Sequence, residues 1–275
     1  MTLNNVSGPV GIFDSGVGGL SVLRAVQEIL PYESLVYLAD QAHVPYGPRS
    51  LEQVRAFSEG ITRYLLAQDA KLIVVACNTA SAAALHHLRQ VFPQVPFVGM
   101  EPAVKPAAEH TQSGVVGVLA TPATFQGELF ASVVERFANG VTVLQDTCPG
   151  LVMEVDAGHL DTPQVRAILV RALKPMLAQG IDTVVLGCTH FPFVIPTIES
   201  IVGLGVRVID PAPAIARQVE RLLDTHGLRS PDKSSSRVGY LTTGDPVKME
   251  SLLPGLIGGT AEVHKLVWDG LNLRV

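Results

Sequence analysis

One stretch of this chain is written twice. Leu72-Ile73-Val74-Val75-Ala76-Cys77-Asn78-Thr79 and Thr183-Val184-Val185-Leu186-Gly187-Cys188-Thr189-His190 carry their cysteines 111 residues apart, each after a β-branched apolar run and a small residue and before polar side chains. Each copy reads as a buried strand that delivers a thiol from its end. A second echo lies upstream. Gly11-Ile12-Phe13-Asp14-Ser15 and Gly117-Val118-Leu119-Ala120-Thr121 precede their cysteines by 62 and 67 residues, counted from Ser15 and Thr121. Matching offsets at both ends predict two similar halves related by a pseudo-twofold, with an acid and a base facing each other between them.

Short apolar runs alternate with longer helical patterns, which predicts an α/β protein with mainly parallel sheets and crossover helices. Strands are expected at residues 10–13, 35–39, 72–76, 97–99, 115–119, 141–144, 183–187 and 206–209. Leu20, Leu23, Val26 and Leu30 mark one face of a helix, as do Val165, Leu169, Leu173 and Met176. Residues 227–236 have loop composition. Beyond them, strands at 238–243 and 263–268 flank a short helix at 246–253, with no helix of crossover length. The tail is therefore expected to complete one half rather than to form a third.

At 275 residues the chain can build one large or two modest domains. Hydrophobic residues at 47% and charged ones at 16% exclude a disordered chain. A formal net charge of -5 argues against a nucleic-acid protein, which needs a basic surface, but not against a small anionic ligand held by local dipoles. Three cysteines without a C-x-x-C pair form neither a disulfide framework nor a zinc site. Residues 1–9 lack the basic-then-apolar order of a signal peptide, and no stretch reaches the roughly 18 apolar residues of a membrane span. A soluble cytoplasmic protein with reduced thiols is expected.

Open parallel sheets place function outside the carboxyl ends of their strands, where both cysteines fall. The helix-forming stretch 80–88 after Cys77, and Pro192 in the turn after Cys188, put each thiol near a helix N-terminus, whose partial positive charge favours thiolate. One free cysteine is most simply a space filler, and Cys148 keeps that reading; the repeated pair favours function. At Asp14 and Ser15 the carboxylate either orients a substrate ammonium group or assists the thiol, unless the pair merely caps a helix. His190 either tunes Cys188 or binds a carboxylate, unless it is merely hydrogen-bonded in place. His86 and His87 point different ways on a helix and make a poor metal site. Gly16, Gly18, Ser21 and Asp40 come close to a dinucleotide fingerprint, but the third glycine is missing and Asp14 stands where a pyrophosphate would approach. A plain anion-binding turn is preferred. Tyr46 lies in a rigid turn, as packing or as a lid.

Together, Phe13-Asp14-Ser15-Gly16-Val17-Gly18-Gly19-Leu20, Pro45-Tyr46-Gly47, Ala76-Cys77-Asn78-Thr79-Ala80-Ser81-Ala82, Glu101-Pro102-Ala103 and Gly187-Cys188-Thr189-His190 resemble the glutamate racemase family, within the cofactor-independent aspartate/glutamate racemase superfamily. The likeness runs through nearly the whole chain. It implies two α/β domains, residues 1–99 with 211–275 and residues 100–210, with the active site between them. It implies interconversion of L- and D-glutamate for peptidoglycan, and hence for the cell wall and cell shape, with no pyridoxal phosphate, metal or nucleotide. By similarity, Cys188 takes the α-proton from L-glutamate and Cys77 reprotonates the opposite face, with roles exchanged in reverse. Asp14 and His190 match auxiliary catalytic positions. Asp14, Ser15, Tyr46, Gly47, Asn78, Thr79, Thr121, Thr189 and His190 match substrate-contacting ones.

The resemblance also implies a homodimer, no membrane and no direct nucleic-acid partner, with DNA gyrase a partner of some members. Thirteen residues precede Asp14, which predicts the absence of the longer N-terminal extension of members activated by a cell-wall precursor. Two positions depart from the pattern. Val155-Asp156-Ala157-Gly158 replaces the usual Val-Glu-x-Gly, so a hydrogen bond toward the second cysteine's side is expected to lengthen or to be bridged by water, with Glu154 facing elsewhere. Phe191 replaces a common tyrosine.

An amino-acid α-proton is very weakly acidic, so without an electron sink the site must stabilise carbanionic charge with preorganised donors. Asn78, Thr79 and Thr189 are the candidates. Inversion needs one thiolate and one thiol on opposite faces, because two close thiolates repel and neither can donate. A cysteine-nucleophile hydrolase or ammonia lyase-like enzyme built on Cys188 and His190 is the rival enzymatic reading. Gyrase binding without turnover is the rival non-catalytic one.

Overall fold

The computed structural model describes residues 6–232, 234 and 236–275; the expectations for residues 1–5, and for 233 and 235 of the loop stretch, lie outside the described residues. In chain order the elements are β1 (Val10–Asp14), α1 (Leu20–Ile29), β2 (Leu35–Ala39), α2 (Leu51–Ala67), β3 (Leu72–Val75), α3 (Asn78–Val91), β4 (Phe97–Gly99), α4 (Val104–His110), β5 (Val115–Ala120), α5 (Pro122–Gln126), α6 (Glu128–Phe137), β6 (Thr142–Asp146), α7 (Leu151–Asp156), α8 (Pro163–Ala178), β7 (Thr183–Gly187), a 3-10 turn (Phe191–Val194), α9 (Ile195–Val202), β8 (Arg207–Ile209), α10 (Ala212–Thr225), β9 (Val238–Thr242), α11 (Pro246–Ile257), β10 (Val263–Lys265), β11 (Val267–Asp269) and β12 (Asn272–Arg274).

Six strands form one sheet in the order β10-β9-β2-β1-β3-β4, and four form a second in the order β6-β5-β7-β8. All pairings within these sheets are parallel. The order β2-β1-β3-β4 repeats strand for strand as β6-β5-β7-β8, so the duplicated sequence is a duplicated topology. β1, β3 and β7 are buried at every position. Apolar layers cover both faces, with Leu72 and Val74 of β3 packed into one and Ile73 and Val75 into the other. That is why these strands read as unbroken apolar runs rather than as alternation.

The tail departs from expectation. α11 spans 12 residues, passing Pro254 before Gly258 ends it in the left-handed region. It is a true crossover, because the β9 and β10 that it joins pair in parallel. The single strand expected at 263–268 is two, broken at the buried Leu266, and the second of them pairs with β12 as an antiparallel hairpin. β9 pairs with β2, which extends the first sheet.

The chain passes between the sheets twice, after β4 and after β8. The two passages are neighbours: Gly99, Glu101, Pro102 and Ala103 of the first line one groove with Pro211 of the second. Among the described residues no helix is long and apolar enough to cross a membrane.

Candidate active site

Both sheets end at one cavity of about 680 Å³. Asp14 and Ser15 enter it from β1 and Cys77 from β3; Thr121 enters from β5 and Cys188 from β7 of the other sheet. Tyr46, Gly47, Asn78, Thr79, Thr189 and His190 complete the set, so every candidate residue lines the same space. Cys148 lines it as well, although its sequence setting pointed only to packing. Its backbone is left-handed, at φ 44°, and burial with the nearby Asp146 pushes its thiol up.

The two facing sulfurs have unlike surroundings. Cys77 caps α3, and its Sγ accepts the Ala80 N–H at 3.4 Å, so the expected helix N-terminus is present. Burial and the Asp14 charge nevertheless outweigh that donor and hold the Cys77 thiol well above its ordinary pKa. The expectation of an easily formed thiolate is corrected there. Cys188 has no α-helix behind it: the 3-10 turn intervenes, and α9 begins only at Ile195. Its Sγ lies 3.7 Å from Nδ1 of His190.

Burial alone would lower the pKa of His190, but Asp156 and Cys188 outweigh it and hold the imidazole well above its usual value, as a cation. Asp156 Oδ1 is 3.3 Å from His190 Nε2, yet Nε2 and Asp156 Oδ2 are both buried without a hydrogen-bond partner. The shorter side chain thus leaves an ion contact where a hydrogen bond was expected to lengthen. Burial would raise the pKa of Asp156; His190 and the Val17 N–H bring it below the usual carboxylate range. Glu154 does face elsewhere, toward His159 at 2.9 Å.

The glycine turn after β1 does bind anions, and they are the chain's own. Asp14 accepts the N–H groups of Ser15 and Gly19, and Asp156 accepts that of Val17 at 3.1 Å. A Cβ on Gly16 would meet Asp156, and one on Gly18 would overlap His190 and Thr189. The glycines therefore let the second sheet's side chains press onto the first sheet's backbone. Asp40, weighed in sequence only as a nucleotide-fingerprint acid, is fully buried and bonds to Tyr46, His43, Thr243 and Trp268. Burial raises the Asp14 carboxyl, and Thr189 Oγ1 from the other half donates to it at 3.0 Å.

Asn78 is 3% exposed, and neither its Oδ1 nor its Nδ2 has a partner. A buried amide left without partners costs about 1–3 kcal/mol, so Asn78 presents an open donor and acceptor on the cavity wall. Thr79 and Thr121 share a hydrogen bond of 2.8 Å between the halves. His87 pairs with Glu59 while His86 meets Gln90, as their divergent positions on α3 predict. Among the described residues no cluster of three or more His, Cys, Asp or Glu could hold a metal.

A doubled α/β fold that brings side chains of both halves, Cys77 and Cys188 among them, to one shared cavity is the architecture of an amino-acid racemase. Residues 18–219 match the model of the Asp/Glu/Hydantoin racemase family, and the chain belongs to that family as an amino-acid racemase. More particularly, it is 51% identical over 262 residues to the glutamate racemase of Ectopseudomonas mendocina, covering 95% of this chain and 99% of that one. Its fold is similar to that of the glutamate racemase isoform RacE1 from Bacillus anthracis (TM-score 0.85, 31% identity, 96% and 98% of the two chains). It is likewise similar to that of Escherichia coli glutamate racemase, solved with L-glutamate and the activator UDP-MurNAc-ala (TM-score 0.84, 35% identity, 96% and 100%).

Proposed function

We propose that this chain is a glutamate racemase that inverts L- and D-glutamate with Cys77 and Cys188 as its two acid–base groups. The observation that carries the reading is the delivery of both sulfurs, one from each half, to a single cavity. The Escherichia coli relative solved with L-glutamate supports the substrate.

In the L-to-D direction the Cys188 thiolate takes the proton from Cα, and the bond's electron pair is left on carbon, delocalised into the α-carboxylate. The S–H bond of Cys77 then gives its proton to the opposite face, leaving a thiolate. That product state is the starting state for D-glutamate, so the same steps run backward. A Cys77 thiol held well above its ordinary pKa suits the donor, and the His190 cation offsets negative charge beside Cys188. Unlike neighbourhoods thus oppose a doubly ionised pair. Asn78 and the N-terminus of α3 supply fixed dipoles for the carboxylates.

The Cys188, His190 and Asp156 series also fits a nucleophilic cysteine, but that reading leaves Cys77 without a task. A covalent acyl intermediate on Cys188 would favour it. Domain limits at residues 1–99 with 211–275 and 100–210, a cytoplasmic homodimer, and supply of D-glutamate to peptidoglycan belong to the same proposal. Gyrase contact is expected only in some members. In heavy water, L-glutamate should yield D-glutamate with deuterium at Cα while optical rotation decays to zero, and Cys77→Ser or Cys188→Ser should abolish this. Constant rotation with the intact protein would overturn the proposal.

A further inference from the structure

Among the described residues, Tyr46 is the one cavity-lining residue bonded to the buried carboxylate of Asp40. Oδ2 of Asp40 accepts from Tyr46 Oη at 2.6 Å and lies 2.9 Å from His43 Nδ1. Oδ1 accepts from Thr243 Oγ1 and from Trp268 Nε1, each at 2.8 Å. Asp40, His43, Thr243 and Trp268 all stand outside the cavity lining. A single planar group therefore joins the cavity wall to the β11–β12 hairpin at the far end of the sequence.

The hairpin is itself firmly seated. The His43 ring stacks on Phe57 of α2 with centroids 3.8 Å apart, and Trp268 tilts against both rings at 5.3 and 5.8 Å. A Cβ on Gly60 of α2 would overlap the Leu271 carbonyl and crowd the Trp268 ring, so the hairpin lies directly on that helix. Ser50 and Leu51, which open α2, also line the cavity. The segment from Asp40 to Leu51 thus starts at a residue bonded to Trp268 and leads into a helix that carries Trp268 on Phe57 and Gly60.

We propose that Trp268 is a positioning residue for the substrate, its indole N–H holding Asp40 so that Asp40 holds Tyr46 and the Pro45-Tyr46-Gly47 wall. This rests on the glutamate racemase reading, with the wall as part of the substrate site. Trp268→Phe retains most of the ring packing and removes the N–H. It should raise KM for glutamate about fivefold, in line with one net hydrogen bond, and leave kcat roughly unchanged because neither sulfur is touched. A lowered Tm with unchanged KM would mean a purely structural role and would overturn the proposal.

A second measurement needs no substrate. The chain has one tryptophan, so its emission reports this position alone. Tyr46→Phe should shift the Trp268 emission maximum in ligand-free protein, and an unmoved maximum would overturn the relay. If the intact protein fails to racemise glutamate, the proposed function falls, while the emission shift still decides whether Trp268 and Tyr46 are coupled.

Discussion

His190 sits where two opposing effects meet. Burial disfavours its charge, while Asp156 at 3.3 Å and Cys188 at 3.7 Å restore it. Its folded pKa lies above the unfolded value of 6.5, so the stability it contributes is complete below that value and drains away as pH rises through the folded pKa. Asp156 has the opposite sign: its contribution is present above 3.8 and is lost as pH falls through its lower folded value. Replacing His190→Gln removes the cation beside Asp156 and leaves that buried carboxylate with the Val17 N–H. The loss in urea unfolding should be about 3 kcal/mol near pH 6 and shrink in alkaline solution. A loss that does not change with rising pH would contradict the charge assigned to His190. Of the residues around the cavity, Cys77, Cys188, Asp14 and His190 were legible because they recur at strand ends or in a known family pattern. Cys148 and Asp40 were not, because one gains its place from a left-handed turn and the other from partners more than 200 residues away in sequence. The position of Asp40 directly after β2, at the same carboxyl end of the sheet as Asp14, was the available signal.

At the level of elements, the glycine turn between β1 and α1 shows how a local sequence is dictated by a distant one. Gly18 faces His190 and Thr189 across the halves with no room for a methyl group. Gly18→Ala should therefore cost about 1–3 kcal/mol through overpacking and lower kcat/KM for glutamate at least about tenfold. Normal turnover by a stable Gly18→Ala protein would show that the turn is not part of the catalytic geometry. The strands at 35–39, 97–99 and 183–187 were legible to the residue, because buried parallel strands announce themselves as short apolar runs between breakers. The length of α11 was not, since Pro254 interrupts its pattern. Nor was the 3-10 turn after Cys188, whose Pro192 fits either kind of helical start.

Over the whole molecule, a buried ion pair and the cavity occupy opposite ends of the first sheet. Lys71 precedes β3 and pairs at 2.6 Å with Glu33, which lies shortly before β2; both are almost fully buried. Lys71 Nζ also donates to the Val6 carbonyl, and Glu33 Oε1 accepts the Ser230 N–H. Cys77 and Asp40 follow the far ends of the same two strands. Lys71→Met strands a buried carboxylate and should cost about 3–5 kcal/mol of unfolding free energy. Because the lesion is a strand's length from the sulfurs, kcat/KM of the folded fraction should stay within about twofold of the parent. A much larger drop would mean that strain travels along the sheet. The two passages of the chain between the sheets share one groove. Connections at neighbouring points brace the halves less than connections at opposite ends would, so the clasp between them falls to side chains that reach across, Thr189 to Asp14 and Thr79 with Thr121.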